Sequence, residues 1–163
     1  MKLNEIIAEA EGKGLLSGAY YDESIPKSFK YTGELVAGLT ELLKTKNASL
    51  LEDLLIIAEW DGLNQKYTNI LIWLLKEDWH DRQEDIVMAM EVIKDPMTVE
   101  VLYDTAERFP SYDEGRSLTK KCIWALIAIG TEEAKDKIEL LTFSKDNLVS
   151  QIAASELDWL KKR

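Results

Sequence analysis

The sequence predicts an all-α fold: a short right-handed α-solenoid of about four helix pairs behind a short amino-terminal helix. Two observations carry this expectation. The stretch from His80 to Leu141 repeats itself at an offset of 36 residues, so that Ala89 falls on Ala125, Met90 on Leu126, Ile93 on Ile129 and Pro96 on Glu132. Each half reads as an apolar-striped helix, a tight break (Lys94-Asp95-Pro96 or Gly130-Thr131) and a second striped helix. One such unit cannot bury its stripe alone, so recurrence at this length marks stacked helix–turn–helix units. The second observation is that stripes of helical period recur along the chain while no stretch reads as a strand.

Taken in order, Leu3 to Ala10 is a short helix with Leu3, Ile6, Ile7 and Ala10 on one side, ended by Gly12 and Gly14. Leu15 to Lys27 has no clear period and reads as a loop packed by aromatic residues such as Tyr20 and Tyr21. Phe29 to Lys44 carries the stripe Leu35, Val36, Leu39, Leu42 and Leu43, interrupted by Gly38. Asn47-Ala48-Ser49 starts the next helix, with Leu50, Leu51, Leu54, Leu55 and Ala58 as its stripe and Asp61-Gly62 at its close. Asn64 caps a helix that turns Tyr67, Ile70, Leu71, Leu74 and Leu75 inward, and Asp78-Trp79-His80-Asp81 forms a corner. Helices follow over Arg82 to Ile93, Met97 to Arg108, Gly115 to Ile129, Ala134 to Thr142 and Leu148 to Leu160. Thr131-Glu132-Glu133 is a helix start, with acids at the positive end of the helix dipole.

The pattern Ala89-Met90…Asp95-Pro96 and Ala125-Leu126…Gly130-Thr131 resembles the HEAT-repeat family. In that family a small-large apolar pair ends the inner helix, and a short Gly/Asp break, often with Pro, opens the outer one. The second copy departs from it, with Glu132 in place of Pro96. The resemblance implies a surface for binding macromolecules and assigns no reaction.

At 163 residues the chain is expected to form one domain, residues 1–163, with a real core. Glu5, Glu9 and Glu11 stand where an export signal needs an apolar run, and no apolar run approaches membrane-spanning length. A single cysteine, Cys122, excludes an internal disulfide, and the cytoplasm is the expected compartment. The net charge of −10 opposes direct contact with nucleic acid or an anionic membrane, both of which need basic surfaces. From Glu77 to Glu114 twelve acids face Arg82, Lys94 and Arg108, a net of −9 in 38 residues.

No residue set points to catalysis, a cofactor or a metal. His80 is the only histidine, no Gly-rich phosphate loop occurs, and Cys122 sits in an apolar helix as a small buried residue does. His80 with Asp78 and Asp81 offers one imidazole beside surface carboxylates, which is a polar corner before it is a metal site. Paired acids such as Glu84-Asp85 and Asp113-Glu114 read as a solvated face. Of the five tryptophans most are expected in the core, while Trp60 and Trp79, flanked by acids at corners, also read as protein-binding anchors.

Fold, size and charge together resemble the small acidic HEAT-like immunity proteins of bacterial polymorphic and contact-dependent-inhibition toxins. That resemblance implies a partner: a basic toxin domain, typically a nuclease such as an RNase, occluded without chemistry. The partner-binding residues expected on this view are Trp60, Asp61, Asp78, Trp79, His80, Asp81, Glu84, Asp85, Glu91, Asp113 and Glu114. A generic HEAT-type scaffold or regulatory module is the alternative. HEAT-like DNA glycosylases and phycobilin lyases show that such a fold can host chemistry, but the glycosylases need a basic concave face, and no lyase binding determinants are found.

Overall fold

The computed structural model describes residues 2–17 and 26–163, so Tyr20 and Tyr21 lie outside the described residues. Among the described residues the chain is all-helical: nine α-helices and no strand. These are α1 (Leu3–Gly12), α2 (Thr32–Thr45), α3 (Ala48–Asp61), α4 (Thr68–Leu75), α5 (Gln83–Ile93), α6 (Val99–Glu107), α7 (Ser117–Ile129), α8 (Glu132–Leu141) and α9 (Asn147–Lys161). No helix among the described residues is long and apolar enough to cross a membrane. The helices group into two compact units, Met1–Arg82 and Gln83–Arg163.

In the first unit, α2 packs on α3, and α1 lies against both. Ile6, Leu35, Leu39, Leu51, Leu54, Leu71 and Leu74 fill the core. Gly38, which interrupts the α2 stripe, marks a close approach: a Cβ there would meet Leu3 Cδ2 at 2.8 Å and Leu54 Cδ1 at 3.2 Å. Asn47 caps α3 by accepting from Leu50 N–H at 3.1 Å, and Asn64 accepts from Lys66 N–H at 3.0 Å to start a single 3₁₀ turn before α4.

The helix expected from Phe29 begins only at Thr32, because the segment before it is tied to the end of α3. Asp61 is 5% exposed and its carboxylate gathers the donors of that segment. Ser28 Oγ and Lys30 N–H donate to Oδ1 at 2.8 Å each, Tyr31 N–H to both oxygens at 3.2 Å, and Thr32 Oγ1 to Oδ2 at 3.3 Å. An acid in the last turn of α3 opposes that helix's dipole, yet the same carboxylate sits at the positive start of α2 and satisfies its free N–H groups. Gly62 follows at φ +125°, against the Phe29 ring, and a Cβ at Gly62 would collide with that ring.

Tyr67 is packed beside this cluster, and its buried hydroxyl makes no hydrogen bond of full geometry among the described residues, although the Thr32 side chain is near enough to act on it. Burial first, and the Asp61 charge after it, push its ionisation above the ordinary tyrosine range, against an opposing effect of Thr32. An unpaired buried hydroxyl costs about 1–3 kcal/mol relative to one that is satisfied. Tyr67→Phe is therefore expected to leave stability unchanged or raise it by up to about 1 kcal/mol in urea denaturation. A clear loss would show that the hydroxyl has a partner.

The second unit keeps the 36-residue offset down to its turns. Ile86 and Cys122, Val87 and Ile123, Ala89 and Ala125, and Met90 and Leu126 are equivalent pairs, all buried. Lys94 (φ 57°) and Gly130 (φ 71°) both take the left-handed conformation that ends a helix. Asp95 and Thr131 both cap the next helical turn, accepting from Met97 N–H at 3.0 Å and Ala134 N–H at 3.1 Å. Leu102 and Ile138 are buried equivalents in α6 and α8. Helix α5 packs on α7 and α6 on α8, while α7 also packs on α6, α8 and α9. Two ion pairs run between equivalent helices: Glu84 to Lys121 (3.2 Å) from α5 to α7, and Glu100 to Lys137 (2.7 Å) from α6 to α8.

Candidate protein-binding surfaces

The eleven residues expected to bind a partner fall in both units. Trp60, Asp61, Asp78, Trp79, His80 and Asp81 belong to the first, and Glu84, Asp85, Glu91, Asp113 and Glu114 to the second.

In the first unit, Asp61 and His80 are both buried. The Asp61 carboxylate is committed to the 28–32 segment. His80 is fixed by its own turn: its Nε2 donates to the Leu74 carbonyl at 2.8 Å and its Nδ1 accepts from Arg82 N–H at 3.0 Å. That pattern assigns the proton to Nε2 and commits both nitrogens to the backbone. No group of three or more His, Cys, Asp or Glu side chains able to hold a metal occurs among the described residues. Trp79 is half-buried, donates through Nε1 to Glu77 at 2.7 Å, and meets the His80 ring edge-on at 4.8 Å. Trp60 is half-buried with the Lys27 ammonium 5.8 Å from its ring centre. The Trp79 indole thus braces its own turn. Asp78 and Asp81 are exposed, Asp81 lying 3.4 Å from Arg82, which also pairs with Glu52 at 2.9 Å.

The other tryptophans reverse the expectation of a core role. Trp73, Trp124 and Trp159 are exposed, Trp73 by 59%. Trp124 occupies the position equivalent to Met88, also exposed, on the outward side of α5 and α7.

In the second unit the linear charge excess is partly balanced in space. Glu84 and Glu100 are matched by Lys121 and Lys137, which lie outside the acidic stretch. Asp95 is a buried cap. Asp113 caps α7, accepting from Ser117 N–H at 2.8 Å and Leu118 N–H at 3.0 Å. Asp85, Asp104 and Glu114 are exposed, and Glu91 is half-buried. Cys122 is fully buried, and burial first, with the Glu84 charge second, raises its thiol above the ordinary range, which makes it inert.

The loops 108–116 and 142–146 are held together. Arg116 Nη2 donates to Asp146 Oδ2 at 2.9 Å and its Nε to Oδ1 at 3.3 Å, while Ser144 Oγ donates to Glu107 at 2.8 Å. The Arg116 guanidinium also stacks 3.7 Å from the Phe109 ring centre, and Arg116 itself is left-handed (φ 56°), a strained conformation for a residue with a Cβ. Asp146 in turn caps α9 through Val149 N–H at 3.0 Å. The Arg116 guanidinium, and then the Val149 amide, hold the Asp146 carboxyl below the usual carboxylate range. Its contribution to stability is therefore fully present above the unfolded value of about 3.9 and is lost as pH falls through the lower folded value. Asp146→Asn is expected to lower the urea midpoint at pH 7, with the gap to wild type closing as pH falls below the usual carboxylate range. A gap independent of pH in acid would contradict this.

No protein-family model, curated protein or solved structure matches this chain.

Proposed function

We propose that the chain is a HEAT-type helical-repeat module of the cytoplasm that neutralises a basic toxin domain, a nuclease, by covering its active site. It acts as an immunity protein and performs no reaction of its own. The observation that carries this reading is the net charge of −10 on a chain whose equivalent helices repeat at 36 residues. Exposed carboxylates occur in both units: Asp78 and Asp81 in the first, and Asp85, Asp104 and Glu114 in the second. Nucleases are basic because their substrates are anionic, so an acidic surface both attracts such a domain and competes for its substrate cleft. The shared turn chemistry of Lys94-Asp95 and Gly130-Thr131 supports the repeat reading.

The charge reversal that tests this avoids Glu84, whose change would leave Lys121 facing a second cation. Asp78→Lys with Glu114→Lys is expected to slow association with the basic domain roughly 10-fold at low salt, with little change at high salt and a nearly unchanged Tm. Equal association rates at low salt would reduce the acidic surface to a solubility feature.

A further inference from the structure

The two most exposed large apolar side chains in the second unit are Phe143, at 84%, and Tyr112, at 74%. They sit on the two loops that Arg116–Asp146 and Ser144–Glu107 join. Exposed aromatic rings on loose loops mean little, because ordering them costs most of what their burial returns. These loops are already ordered: Asp113 caps α7, Asp146 caps α9, and Arg116 reaches the Asp113 carbonyl, the Asp146 carboxylate and the Phe109 ring at once. Exposed aromatic rings on ordered, joined loops have the composition of a binding hot spot.

The charge around the pair selects the occupant. Residues 104–116 and 139–146 hold six acids and three bases, a net of −3, and Arg116 and Asp146 offset one another. Asp104, Glu114 and Glu139 are exposed, as are Arg108 and Lys145. The outward side of α5 and α7, which shows Met88 and Trp124, is nearly balanced, with Glu84, Asp85 and Glu91 against Lys120 and Lys121. It therefore attracts neither sign of partner.

We infer that this loop edge is where the chain docks a basic protein, with Tyr112 and Phe143 as anchors and the surrounding carboxylates as the rim. The inference rests on the reading of the chain as the binder of a basic domain.

The test uses a surface-displayed panel of basic nuclease domains of pI above about 9, titrated with the full chain and its variants. Tyr112→Ala with Phe143→Ala is expected to weaken binding to whichever domain the wild type holds by at least about 30-fold. Val92→Ala, an exposed apolar change on the break side of α5, should leave that affinity within about 2-fold. Matching Tm values confirm that both variants are folded, and Tyr112→Phe should keep most of the affinity if the ring is the anchor. Undiminished binding by the double variant overturns the docking edge and leaves the proposed function standing. A wild-type chain that holds no member of the panel overturns both.

Discussion

Replacing Asp61 by alanine is expected to destabilise the protein by about 3 kcal/mol or more, the largest effect of any single polar substitution in the chain. The change removes the acceptor of two backbone N–H groups, Lys30 and Tyr31, and of the Ser28 and Thr32 hydroxyls. The start of α2 would lose its cap and its charge complement together. Asp61→Asn keeps one acceptor oxygen and is expected to fall between the two. Urea denaturation measures both, and a loss under about 1 kcal/mol for alanine would show that the 28–32 segment is held by something else.

Leu126→Ala is expected to cost about 2–5 kcal/mol, because the Leu126 side chain on α7 is fully buried and its truncation removes apolar contacts and leaves a void. Its equivalent, Met90, is also fully buried, and Met90→Ala should cost a similar amount. The pair tests the 36-residue offset as an energetic as well as a geometric repeat. If one substitution is silent while the other unfolds the chain, the two positions are not equivalent.

The repeat is legible in the sequence because its signals are local. A stripe and a cap are each read within a few positions, so the breaks at Lys94-Asp95 and Gly130-Thr131 fall at the same offset as the stripes before them. Most element ends are legible for the same reason. Features that depend on residues distant in sequence are not. Asp61 reads as a helix-end acid, but its partners lie some thirty residues earlier, at Ser28 to Thr32. The charge of the 77–114 stretch, counted along the chain, omits Lys121 and Lys137, which arrive from the next helices.

The tryptophans are misjudged for a different reason: size argues for burial, but register decides it. Trp124 shares its place with Met88, off the Cys122–Ile123–Ala125–Leu126 stripe that faces the core, and the offset alone contains this information. Tyr112 and Phe143 carry no such signal. The loops that carry them are joined by Arg116 and Asp146, a contact that spacing does not encode.

The most direct test of an immunity role is a growth measurement. The genes beside this one are expressed singly, then each together with this chain. One neighbour with a basic domain is expected to arrest growth alone and to be harmless when this chain is present, with the two proteins co-purifying in a salt-sensitive complex. Neighbours that are all harmless alone, or a toxic one that this chain fails to silence, would contradict that role and leave a general helical scaffold as the better description.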